Sequence, residues 1–381
     1  MFDKIASLAG DADKLFEELA QQLVAAGKFH ELFDARLVQS RHRLALSIDK
    51  AGNLDDLPEP TRSDVEQAYL AACREVGQLL LEKGRFQEGW MYLRPAGEKT
   101  LVRESLERAI PDENSIEELI QVALHEGVAV ERGLGWMLGH YGICNSITTF
   151  EGIAGSLEQN DQRACAVVLL RHLHAELLGN VRSHVERVEG RPPEETSLTT
   201  MVADRGWLFD NDSYHVDTSH LGSVVRFSRL LEDPATLELA IELTEYGRRL
   251  GHKLQYPGDP PFADPYTSHR LFFLATLGRE VEAALDFFAQ QAKETSVEEF
   301  GSGAIETYLI LLNRTQQYHK ALVTYNDLVS ATTSLSPFAP TALTLARKSG
   351  DWDLYLEIMR NRGDLVGYAI GHLQQLQDQT S

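Results

Sequence analysis

Val76-Gly77-Gln78-Leu79-Leu80-Leu81-Glu82-Lys83-Gly84-Arg85-Phe86-Gln87-Glu88-Gly89-Trp90-Met91-Tyr92-Leu93 decides the fold class. Leu79, Leu80, Trp90, Tyr92 and Leu93 recur at helical rather than alternating spacing, and Lys83-Gly84-Arg85 interrupts them. The pattern predicts two antiparallel helices joined by a tight turn. Small residues at Gly77 and Gly89 mark where the helices would cross closely.

The same arrangement returns elsewhere. Ala26-Gly27-Lys28-Phe29, Gln316-Gln317-Tyr318 and Ser349-Gly350-Asp351-Trp352 each place an aromatic after a polar or glycine turn, where it can wedge between two helices. Tyr318 and Trp352 lie 34 residues apart, the period of a helical-hairpin repeat. Through Val76–Leu93 with Pro95, and again through Tyr308 to Leu328 with Ala321-Leu322 and Tyr325, the chain resembles the tetratricopeptide-repeat superfamily. The resemblance covers about half the chain and carries no catalytic residues. It implies an all-α fold, an α-solenoid or toroid of antiparallel helical hairpins, with peptide or protein binding as the role such scaffolds commonly play.

Departures from the repeat set the divisions. Phe29 and Phe86 are 57 residues apart, with an acidic, proline-bearing insertion at Asn53 to Pro60. The sequence divides into N-terminal hairpins (1–109), glycine-interrupted helices with a first long loop (110–220), and C-terminal hairpins with a second long loop (221–381). The first loop runs from Gly190 to Asp217 and contains Trp207. The second, Gln255 to Pro265, is too rich in proline for helix. Loops fixed to a rigid frame are where function concentrates.

The 381 residues carry 36 Lys and Arg against 57 Asp and Glu, a formal net charge of -21. That balance repels a phosphate backbone and an anionic membrane surface, so neither nucleic acid nor membrane is expected as a partner. No apolar run reaches the length of a membrane span, and the N-terminus has no secretory leader pattern. Cys73, Cys144 and Cys165 are too few and scattered for a disulfide framework, and each reads as a small core residue. A soluble, cytoplasmic protein is expected. Phosphate-binding glycine loops, dinucleotide fingerprints and nucleophile elbows are absent.

Chemistry gathers around a repeated tripeptide. Thr218-Ser219-His220 and Thr267-Ser268-His269 each stand at a predicted helix start, after loops that supply Tyr214, His215 and Asp217 in one case and Asp264 and Tyr266 in the other. His215 and Asp217 would share a side of an extended segment, and His220 and His269 would meet if their helices were neighbours. Two or three imidazoles with a carboxylate suit zinc, manganese or iron and leave positions for an activated water. The expected metal ligands are His215, Asp217, His220 and His269, with His174 within reach from a buried helical stripe.

Asp264, Tyr214 and Tyr266 are the candidate proton carriers, with Tyr256 near them. Arg226, Arg270 and Trp207 are the candidates for holding a small polar substrate. The reading is a metal-dependent hydrolase or lyase; the alternative is a non-catalytic scaffold for a peptide or protein. Helix capping by Asp217, Thr218 or Ser219 and by Ser268 explains part of the same pattern. For Gly135, Gly139 and Gly142 beside His140, close helix packing is expected.

Overall fold

The structure is a computed structural model describing residues 2–48, 56–330 and 332–380, with side chains through residue 377. It is all-α, and no strand occurs among the described residues. The first three residues of the Asn53 to Pro60 insertion lie outside the described residues. No helix is long and apolar enough to cross a membrane among them. The chain forms two compact units, 1–146 and 147–381.

The first unit holds α1 (Phe2–Ser7), α2 (Ala12–Ala25), α3 (Phe29–Arg43), α4 (Thr61–Glu82), α5 (Phe86–Leu93), α6 (Lys99–Arg108) and α7 (Ile116–Ile120). A π-helical turn, Gln121–His125, precedes Gly127, and α8 (Val130–Ile153) begins in this unit and ends in the next. Consecutive helices from α2 to α6 pack on one another. Lys83-Gly84-Arg85 is the turn between α4 and α5, and Gly84 takes a φ of 73°, open to glycine without cost.

Phe29, Phe86, Tyr318 and Trp352 are each the first residue of a helix, as the turn pattern predicts. Phe29 joins Ala20, Leu32, Cys73, Val76, Leu80 and Tyr92 in one core. Burying each large apolar side chain there contributes about 1.5–3 kcal/mol relative to leaving it in water.

The second unit holds α9 (Gln159–Glu189), α10 (Leu198–Ala203), α11 (Thr218–Phe227), α12 (Pro234–Gly247), α13 (Pro265–Thr276) and α14 (Val281–Glu294). It continues with α15 (Val297–Phe300), α16 (Gly303–Arg314), α17 (Tyr318–Leu328), α18 (Ala342–Ser349), α19 (Trp352–Arg362) and α20 (Leu365–Thr380). α9 supplies a buried stripe of Leu170, Leu173, Leu177, Val181 and Val185, against which α10, α11 and α12 pack. α11 also touches α12 and α13, so the two helices bearing the Thr-Ser-His copies are neighbours.

Two expectations are corrected. Gly135, Gly139 and Gly142 are exposed with open space where a Cβ would stand, so they mark no close packing; Gly142 instead breaks α8 with a φ of 79°. Cys144 is exposed rather than a core residue, whereas Cys73 and Cys165 are buried.

Gly77 and Gly89 do mark a close crossing: a Cβ on Gly77 would overlap the Leu93 side chain, and one on Gly89 would sit 2.9 Å from Leu81 Cδ2. Gly77→Ala therefore costs about 1–3 kcal/mol through overpacking. Gly135→Ala, in open space on a helix, is neutral or stabilising by up to about 1 kcal/mol. Urea unfolding of the two variants checks the contrast.

Candidate functional site

The first loop is built into the helical frame by polar contacts, several of them part-buried. Arg205 pairs with Glu189 (2.6 Å) and Glu195 (2.8 Å) and donates to the Met201 carbonyl, bracing the start of the loop against the end of α9. Further on, the Tyr246 hydroxyl accepts the His215 backbone N–H at 2.9 Å, and Asn180 donates to the His215 carbonyl at 2.8 Å. The His215 ring lies between Tyr246 and His184, with Nδ1 2.9 Å from the Tyr246 hydroxyl and Nε2 2.8 Å from His184 Nδ1.

One proton arrangement leaves no donor in this chain idle: the phenol donates to His215 Nδ1, and His215 Nε2–H donates to His184. Both imidazoles are then neutral. Burial, helped by His184 and Arg187, lowers the His215 pKa to about 4; burial and Arg187 lower that of His184 too. Burial pushes the Tyr246 phenol well up, so it stays protonated.

This occupancy changes the reading of the first loop. The chain bends at His215 and Val216 rather than running extended, and Asp217 turns back to cap α11. Its Oδ1 accepts from the Ser219 hydroxyl (2.5 Å) and N–H (2.8 Å), and from the His220 N–H (3.4 Å). The Ser219 hydroxyl, above all, holds its pKa below the ordinary carboxylate value.

The second copy is set differently. Asp264, not Ser268, caps α13, by accepting the Thr267 N–H at 3.1 Å. His220 is thus the third residue of its helix while His269 is the fifth of its own. At about 100° per residue, the two histidines differ in phase by roughly 200° when counted from their helix starts. His269 is buried, stacked on Phe262 at 4.0 Å, with Nδ1 bonded to the Pro265 carbonyl and Nε2 without a hydrogen-bond partner among the described residues. Burial, with Arg229 nearby, lowers its pKa to about 3.

The remaining candidates are also individually placed. His174 Nε2 meets Glu242 at 2.7 Å, and that carboxylate also accepts the Leu198 N–H, tying α9, α10 and α12 together. Trp207 lies edge-on to His184. Tyr214 is exposed, while Tyr266 is buried where Gly247 leaves room for its ring. Arg270 is taken up by Glu245 and, at 3.5 Å, by Glu280. Among the described residues no three His, Cys, Asp or Glu side chains group together as a metal would require.

What the structure does bring together was only glimpsed in the sequence. Arg226, near the end of α11 rather than its start, lines two adjoining cavities of about 890 Å³ and 620 Å³, as does Arg229. The smaller is walled by the proline loop, with Tyr256, Phe262, Tyr266 and His269. The larger is walled by Phe150, Phe227, Phe272 and Phe338 and by Arg163 and Arg314. These guanidiniums gather because α11 ends in a turn, Ser228–Leu230, whose carbonyls have no onward helix to bond. Arg314 donates to the Arg229 carbonyl (2.8 Å), Arg163 to that of Leu230 (3.2 Å), and Arg229 Nε to that of Arg226 (3.1 Å).

Charge pairing around the cavity is incomplete. Arg226 pairs with Glu151, and Arg163 with Glu232 at 2.6 Å; Arg314 stands 3.6 Å from Glu232, with Nη1 buried and without a hydrogen-bond partner among the described residues. Arg229 lies over the Phe262 ring at 4.8 Å, with no carboxylate in ion-pair distance among the described residues. Burial lowers the pKa of both Arg229 and Arg314 to about 10, which leaves each charged at neutral pH. The available signal was an arginine closing an apolar run, Ile310-Leu311-Leu312-Asn313-Arg314, and another inside Phe227-Ser228-Arg229-Leu230.

Comparison with protein-family models, with curated proteins and with solved structures found no match to this chain.

His215 and His269 give the stability a pH dependence. Each is neutral in the folded chain down to about pH 4 or 3 but takes up a proton near its ordinary 6.5 when unfolded. The unfolded state therefore binds more protons, and stability, fullest above about pH 6.5, falls as the pH drops toward 4. His269→Phe, which keeps the stack on Phe262, flattens this slope by roughly 1–2 kcal/mol between pH 7 and 4.5. Denaturant midpoints across that range measure it.

Proposed function

We propose that the second unit binds a small organic anion with an apolar body in the cavity beside Arg229. The observation that carries this reading is the Arg229 guanidinium at the junction of two cavities, with no carboxylate in ion-pair distance among the described residues. A part-buried cation with no counter-charge in ion-pair distance keeps part of its desolvation cost, which a compensating anion offsets. An anion seated between the guanidiniums supplies that charge, and the four phenylalanines supply contact for an uncharged remainder.

Metal-dependent hydrolysis or elimination at His215, Asp217, His220 and His269 is the second reading, supported by the neutral His269 imidazole with its bare Nε2. It requires His215 and Asp217 to exchange their present hydrogen bonds for a metal. Stoichiometric zinc, manganese or iron in tag-free protein, lost in the His215→Ala, His220→Ala variant, would replace anion binding as the better account. A scaffold for a peptide fits the anion reading when the peptide contributes its carboxylate.

Arg229→Met separates ligand holding from structural bracing. The apolar side chain keeps the volume and removes the charge while giving up the Nε bond to the Arg226 carbonyl, so the ligand-free variant unfolds within about 1 kcal/mol of the parent. Stabilisation by organic anions is lost in the same variant. A loss of several kcal/mol in ligand-free stability would instead make Arg229 a structural cation and remove the proposal.

A further inference from the structure

The charge balance around the larger cavity narrows the ligand class, on the premise that the cavity binds an anion at all. Four guanidiniums line it, those of Arg163, Arg226, Arg229 and Arg314, against the three carboxylates of Glu151, Glu232 and Glu306. Glu151 and Glu232 are taken up by Arg226 and Arg163, and Glu306 accepts from the Ser302 hydroxyl at 2.7 Å. Within this cavity one positive charge is left over, and the carboxylate that lines the adjoining smaller cavity is that of Asp259, on the proline loop. We infer that the ligand is a monoanion, an arylalkyl monocarboxylate, whose carboxylate is held by the Arg229 fork and whose ring enters the phenylalanine-walled chamber.

Donor geometry agrees with the count. Arg229 spends Nε on the Arg226 carbonyl, which leaves its two Nη groups as an end-on fork matching the two oxygens of a carboxylate. Arg314 spends Nη2 on the Arg229 carbonyl, and its Nη1 is closed off from the cavity surface, so it contributes charge rather than a direct bond. A dianionic phosphate monoester would bring one charge more than the surplus, with Glu306 on the same wall to repel it. Because the desolvation cost grows with the square of the charge, the uncompensated second charge weighs heavily in a cavity of this kind.

The chamber favours an aromatic body. Phe150 and Phe227 meet edge to face at 4.9 Å, and Phe150 and Phe272 are almost fully buried in the wall. A ligand ring meets this wall chiefly through Phe338, the most exposed of the four phenylalanines. Phe338 closes the chamber from a loop that Gln159 holds by donating to the Pro337 carbonyl at 2.6 Å, so the wall is fixed before any ligand arrives.

Calorimetry on the full chain at neutral pH with three matched probes tests this: 3-phenylpropionate, 3-phenylpropionamide and 2-phenylethyl phosphate. The carboxylate is expected to bind on the order of tenfold or more tighter than either of the others, and Arg229→Lys, which keeps the charge but loses the planar fork, to weaken it about tenfold. Equal or tighter binding of the phosphate ester overturns the monoanion inference while leaving anion binding standing. Equal binding of the amide overturns the anion reading itself. No carboxylate binding up to about 10 mM overturns the arylalkyl class.

Discussion

A helix that stops inside a protein leaves carbonyls that must be bonded, and the end of α11 is where the second unit meets this demand. Its closing turn is answered by arginines from α9, from α16 and from the turn itself. Guanidiniums are suited to the task because their positive charge also faces the negative end of the helix dipole. Carboxylates then collect around them, but not in full number, and an open-mouthed cavity with a charge left over is the result. The positive site in a chain of net charge -21 is thus a local product of helix termination.

Much of the fold was legible because helical hairpins write themselves locally. Lys83-Gly84-Arg85 and the aromatics that open α3, α5, α17 and α19 are consequences of turn geometry acting over a few residues. The buried stripe of α9, with His174 inside it, follows from periodicity in the same way. The glycines of α8 misled because two different causes leave the same letter in the sequence. Gly77 and Gly89 lack a side chain because a neighbour needs the space, whereas Gly135 and Gly139 face openly outward.

The site was less legible for a related reason. Thr-Ser-His occurs twice, but the capping residue sits one place before Thr218 in one copy and three places before Thr267 in the other. A histidine's direction depends on its count from the cap, so identical triplets aim differently. Several polar residues chosen from the sequence serve as joints: Asp217 and Asp264 as caps, His174 and Arg270 as ion-pair partners. Arg229 and Arg314 stood inconspicuously among phenylalanine and leucine. Their environment, set by residues distant in sequence, makes them chemically unusual.

His215 shows how firmly an irregular segment can be fastened. Side chains of α9 and α12 hold its carbonyl and its amide, and its ring is bonded on both nitrogens. Inserting or deleting a single residue between Arg205 and Asp217 would drag this anchor out of step with both helices, whereas the side chain of Tyr214, facing solvent next to it, is free to vary. Drift in this loop should therefore come as substitutions at constant length, the opposite of the length variation that surface loops ordinarily tolerate.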